Sequence, residues 1–150
     1  MSKAARPDEA TARATHHAPV VRRPADLPGE AGRFANVTRM VFHPSPEHPD
    51  EPNAGTVTYE PGAGFPLHMH DFAQLWYVLE GECRFGEHRL AAGDMVYMQD
   101  PHFEHEMHTD TGCTIVFMQY PGPTTGARPI YQGRFDGRDA AGGVEPDLRR

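Results

Sequence analysis

Apolar and polar residues alternate in short bursts along the middle of this chain. "RFANVTRMVF" is rich in β-branched and aromatic residues and predicts a strand. "GTVTYEP" alternates as a half-buried strand does, and "PLHMHD" with "AQLWYVLEG" reads as two strands or one bent strand. "ECRFG", "HRLAAG", "DMVYMQ", "HFEHEMH" and "CTIVFMQY" follow as short runs with turn residues between them. Such short, even spacing predicts an all-β sandwich or barrel. "HPSPEHPDEPN", His43 to Asn53, is expected to be irregular, because its prolines interrupt any ladder or helix.

The flanks lack this pattern. Residues 1–33 are expected to form a flexible arm, 34–135 the barrel, and 136–150 a loose tail. Within 121–138, "ARPIYQGRF" could supply one edge strand, and "PGPTTG" is a turn that lacks the lysine of a phosphate loop.

Composition narrows the class. One domain suits 150 residues, and 15 Gly with 15 Pro favour strands and turns over long helices. The formal net charge of -7 offers no basic footprint for nucleic acid. No apolar run reaches membrane-spanning length, and the N-terminus lacks the apolar core of a signal peptide. A soluble, cytoplasmic protein is expected, with Cys83 and Cys113 reduced and acting as small buried hydrophobes.

Candidate chemistry gathers in the histidines. In a strand, side chains alternate between faces, so His68, His70 and Gln74 share a parity with Trp76 and Val78. Leu67, Met69, Leu75, Tyr77 and Leu79 take the other face. Imidazole suits zinc, copper, iron and nickel. A further ligand is sought in "PHFEHEMH". His105 shares its parity with Phe103 and Met107, the more apolar face, and is therefore preferred over His108 and Glu104. Tyr97, Arg84 and His102 are candidate rim residues, and Trp76 a candidate aromatic wall. Asp94, beside Gly93, is expected to shape a turn. His16, His17, His43 and His48 lie in polar or Pro-rich segments and are expected to be solvated.

These residues resemble the cupin superfamily. Its first motif is matched in every spacing by Gly62, His68, His70, Gln74 and Gly81, with Gln74 where the family usually has Glu. The second motif begins at Gly93 and then departs. Pro101 arrives late, no glycine follows it, and His105 lies one position beyond the usual spacing, where a one-residue insertion accounts for it. The resemblance covers residues 54–120. It implies a double-stranded β-helix (jelly-roll) barrel, often a homodimer, with a divalent transition metal held by His68, His70, Gln74 and His105. Iron(II) is the first expectation, with zinc, manganese, nickel or copper as alternatives. The implied function is a metal-dependent enzyme, first a non-haem iron dioxygenase or oxygenase acting on a small enolisable or aromatic substrate. The alternatives are a redox-neutral isomerase, polyketide-type cyclase or lyase, and a small-ligand sensor. Four neutral ligands would leave the metal its whole charge, which favours binding of an anionic substrate.

Overall fold

The computed structural model describes residues 18–46, 48, 51–68, 72–99 and 105–120, with the backbone alone at His68. The described residues form nine strands: β1 (Glu30–Ala31), β2 (Asn36–Phe42), β3 (Asn53–Tyr59), β4 (Gly64–His68), β5 (Ala73–Phe85), β6 (His88–Ala91), β7 (Met95–Met98), β8 (His105–His108) and β9 (Cys113–Tyr120). Every pairing among them is antiparallel. One layer runs β1-β2-β3-β9-β5-β7 and the other β4-β8-β5-β6. The architecture is the jelly roll that the sequence implies. Among the described residues no helix is long and apolar enough to cross a membrane.

β5 belongs to both layers. Its first half pairs with β9 and β7, and its second half with β6 and β8. The sequence reading divides this stretch at Gly81, yet the strand continues through it. A register shift between Val78 and Glu80 and a positive φ of 74° at Gly81 bend the strand without ending it. A Cβ at Gly81 would overlap the carbonyl oxygen of Gly112, so this position is closed to any side chain.

The core lies between the layers. Val78 and Ile115 are fully buried, and Phe65, Trp76, Met98, Met107 and Phe117 pack around them. Each such side chain contributes about 1.5–3 kcal/mol through its burial. The alternation predicted along β5 is observed: Gln74, Trp76 and Val78 are buried, whereas Tyr77 and Leu79 are exposed. Cys83 and Cys113 are buried free thiols. The Cys83 S–H donates a hydrogen bond to Cys113, and this bond together with burial pushes the Cys83 thiol above its ordinary range. Asp94 closes the turn before β7 by accepting a hydrogen bond from the Ala91 amide at 2.8 Å.

The segment expected to be a free arm is partly docked. β1 pairs with β2, preceded by one 3-10 turn at Pro24–Asp26. Arg22 makes a two-pronged ion pair with Glu51, at 3.1 and 2.7 Å, donates to the Val41 carbonyl at 3.0 Å, and stacks over the Phe42 ring. The Arg22 hydrogen bonds hold the Glu51 carboxyl below the usual carboxylate range. An arginine fork with three kinds of partner explains why a polar, aperiodic stretch still lies against the barrel. The expected edge strand and turn of 121–138 and the tail fall outside the described residues.

Candidate functional site

The strand ends place the predicted site residues. His68, at the end of β4, stands opposite His105 at the start of β8. Gln74 lies at the start of β5, between Gln119 of β9 and Met98 of β7. The Trp76 indole joins the two groups. Its Nε1–H donates to Gln74 Oε1 at 3.2 Å, and its ring stands edge-on to the His105 ring, with centroids 6.5 Å apart. Phe65 and Phe85 also stand against His105, at centroid distances of 5.7 and 4.8 Å. A buried imidazole and a buried carboxamide thus share one aromatic neighbour, and Trp76 is itself a buried core side chain.

His105 faces inward and is 6 % exposed, as its parity predicts. His108 takes the other face, where its Nε2 meets Asp110 at 2.9 Å. Glu104, His70 and His102 fall outside the described residues, as do His16 and His17. Tyr97 is exposed and stacks on Tyr120. Arg84 is exposed beside His108 in a half-open groove of about 440 Å³. That groove is lined also by Arg33, Phe34, Pro66 and the buried Phe65 and Met107, and Phe65 in turn meets the His105 ring.

The structure adds a row of side chains that periodicity alone left unread. Asn53, Gln119, Gln74 and Met98 stand in direct register across β3, β9, β5 and β7. Directly registered residues share a face. Asn53 Nδ2 donates to Gln119 Oε1, and Gln119 Nε2 to Gln74 Oε1 at 3.3 Å. Gln74 Nε2 contacts Met98 Sδ at 3.4 Å. At the far end His43 Nδ1 lies 2.8 Å from Asn53 Oδ1. His43 is therefore half-buried and bonded, contrary to the solvated place expected of it; His48 is exposed as expected. A signal was available. Asn53 and Gln119 lie on the apolar parity of their strands, and a polar residue on a core-facing parity is the informative exception.

The residues suit a divalent metal in their chemistry. Among the described residues no three His, Cys, Asp or Glu side chains converge. One buried imidazole, His105, and one buried carboxamide, Gln74, each meet the Trp76 indole, and the backbone of His68 is in register with that of His105. Both lone pairs of Gln74 Oε1 are engaged, by Trp76 Nε1–H and Gln119 Nε2–H, so ligation through this oxygen would release one of these bonds.

The sequence matches the cupin domain model over residues 55–118. Residues 55–118 are a cupin domain. Solved structures agree with the fold. An RmlC-like cupin from Shewanella frigidimarina is 22% identical with a TM-score of 0.60, covering 71% of this chain and 95% of that one. The polyketide cyclase RemF from Streptomyces resistomycificus is 18% identical with a TM-score of 0.59, covering 75% and 83%. Ectoine synthase from P. lautus is 16% identical with a TM-score of 0.56, covering 76% and 94%. No protein of curated function matches the sequence. At such identities the likeness concerns the fold, and one cupin scaffold hosts many chemistries.

Proposed function

We propose that this cupin is a metal-dependent enzyme whose protein ligands are His68, His70, Gln74 and His105, with iron(II) as the first metal. The observation that carries the reading is the aromatic neighbour shared by Gln74 and His105. When bound, the metal supplies Lewis acidity and, as iron, one-electron chemistry. The chain's own residues do the rest. Phe65, Trp76 and Phe85 keep water from the imidazole and offer planar surfaces to a planar substrate. Gln74 is held by two N–H donors and offers a neutral oxygen on release of one of them. The leading reaction is oxygenation of a small enolisable or aromatic substrate.

One observation favours a second reading. The buried polar residues among those described are Thr38, Asn53, Gln74, His105 and Thr109, with no carboxylate. An enolate entering such an interior meets no like charge. Redox-neutral isomerisation, polyketide-type cyclisation or lyase chemistry suits that interior. The test is turnover of small diketones and enolisable aromatics by iron(II)-loaded protein, with and without O2. Oxygen uptake coupled to turnover supports the oxygenase, and equal turnover without O2 supports the redox-neutral enzyme. Tight binding with no turnover makes the protein a sensor.

We also propose a homodimer. The outer face of β7-β5-β9 carries Met95, Tyr97, Tyr77, Leu79, Met118 and Tyr120, all exposed. An apolar sheet face of this kind marks a protein contact. Two free buried thiols support a reducing, cytoplasmic setting.

A further inference from the structure

The direction of every hydrogen bond in the Asn53–Gln119–Gln74 row is dictated by one group. An indole N–H can only donate. Trp76 Nε1 therefore requires an oxygen on the Gln74 side, 3.2 Å away. With oxygen there, the Gln119 atom 3.3 Å from it must be the nitrogen. Gln119 then presents its oxygen to Asn53, which must answer with its nitrogen. Asn53 is left with an oxygen facing His43 Nδ1 at 2.8 Å. An oxygen without a proton needs a donor, so His43 Nδ1 carries hydrogen. Reversing any one amide would set N–H against N–H or oxygen against oxygen, in a row where Asn53 and Gln74 are 1% and 2% exposed.

We propose that His43 is a positioning residue of the candidate site. Its Nδ1–H, acting through Asn53 and Gln119, locks the Gln74 carboxamide with its oxygen, rather than its nitrogen, on the side of Trp76. The inference rests on the reading of Gln74 as a ligand only for its functional consequence; the row itself does not depend on it. His43 is built into place for this role. Its backbone N–H donates to Glu51 Oε2 at 3.3 Å, and Glu51 is gripped by Arg22. The ring is thus fixed by its side chain at one end and by its own amide at the other. A flexible rim histidine would have neither hold. Trp76 and His43 are the two ends of the device. The indole sets the polarity of the row, and the imidazole keeps its far end from flipping.

The test uses the full chain and two readouts. The first is nitrogen NMR. Neutral His43 is expected as the Nδ1–H tautomer, and the single indole N–H of the protein is expected to shift and to exchange faster in His43→Leu than in the wild type. His43→Gln, which can still donate to Asn53, is expected to keep the wild-type indole signal. The second readout is metal titration with iron(II) or zinc. His43→Leu is expected to lose about tenfold or more in affinity, the usual cost of removing an outer partner of a ligand, and His43→Gln to recover most of it. An Nε2–H tautomer, or an indole signal unmoved in His43→Leu, overturns the row's direction. A shifted indole with unchanged metal affinity overturns the positioning role. A wild type that binds no metal at all is a failure of the enzyme reading, and it leaves the tautomer result to stand or fall separately.

Discussion

His68 and His105 are directly opposed across the antiparallel β4–β8 pair, just past a register shift at Phe65. Opposed positions in such a pair have Cα atoms about 4.5–5.5 Å apart. Two segments distant in sequence therefore deliver histidines to a single place. His68→Ala and His105→Ala are each expected to abolish stoichiometric metal binding, measured by elemental analysis after reconstitution. His108→Ala, on the outer face beside Asp110, is expected to leave the metal content unchanged. Equal loss in all three variants would sink the assignment.

Gln74 serves stability as well as the site. Gln74→Leu removes the acceptor of Trp76 Nε1–H and Gln119 Nε2–H inside the core. An unsatisfied buried donor costs about 1–3 kcal/mol, so metal-free Gln74→Leu is expected to unfold at clearly lower urea concentration. Gln74→Glu acts differently. It restores an acidic ligand, so tighter metal binding is expected, together with a lower iron potential. In the metal-free protein the same carboxylate is buried and unpaired, and a loss of stability is expected from urea titration.

The N-terminal clamp gives a pH dependence of known sign. Glu51 is held below its ordinary value chiefly by the Arg22 hydrogen bonds. A depressed carboxylate contributes stability that is fully present above the unfolded-state value, about 4.5. That contribution is lost as pH falls through the lower folded value. Proteolysis of the N-terminal segment is expected to accelerate on acidification below about pH 4.5 in the wild type. Glu51→Gln is expected to show the fast rate already at neutral pH. A pH-independent wild-type rate would refute the clamp.

The exposed face of β7-β5-β9 predicts assembly. Met118→Glu and Tyr77→Glu, both outward on adjacent strands, are expected to shift the particle mass from dimer to monomer in light scattering. Metal binding is expected to persist in both variants. An unchanged mass would remove this face as the contact.

Much of this was legible in residue order. The alternation along Ala73–Leu79 suffices to turn Gln74, Trp76 and Val78 inward, because strand period is fixed by backbone geometry. The same argument separates His105 from His108. Two things were not legible. Gly81 reads as a break, since glycine usually ends a strand pattern, whereas here its positive φ lets β5 bend and continue. The Asn53–Gln119–Gln74 row depends on which strands are neighbours, and strand order is a property of the whole fold. Asn53 and Gln119 are polar residues on the apolar parity of their strands, a signal that went unread, and only the β3-β9-β5 order makes them one row with Gln74. His43 was hidden for the same reason, by a Pro-rich loop whose docking depends on Arg22 far upstream.

The course of β5 has a mechanical consequence. Because one continuous strand is stitched into both layers, neither sheet can come apart while the other stays whole. Opening the molecule at the β5–β9 seam would strip the second layer of its anchor in the same event. Unfolding should therefore proceed as one cooperative transition, and slow amide exchange along Trp76–Cys83 should report the global free energy of the domain.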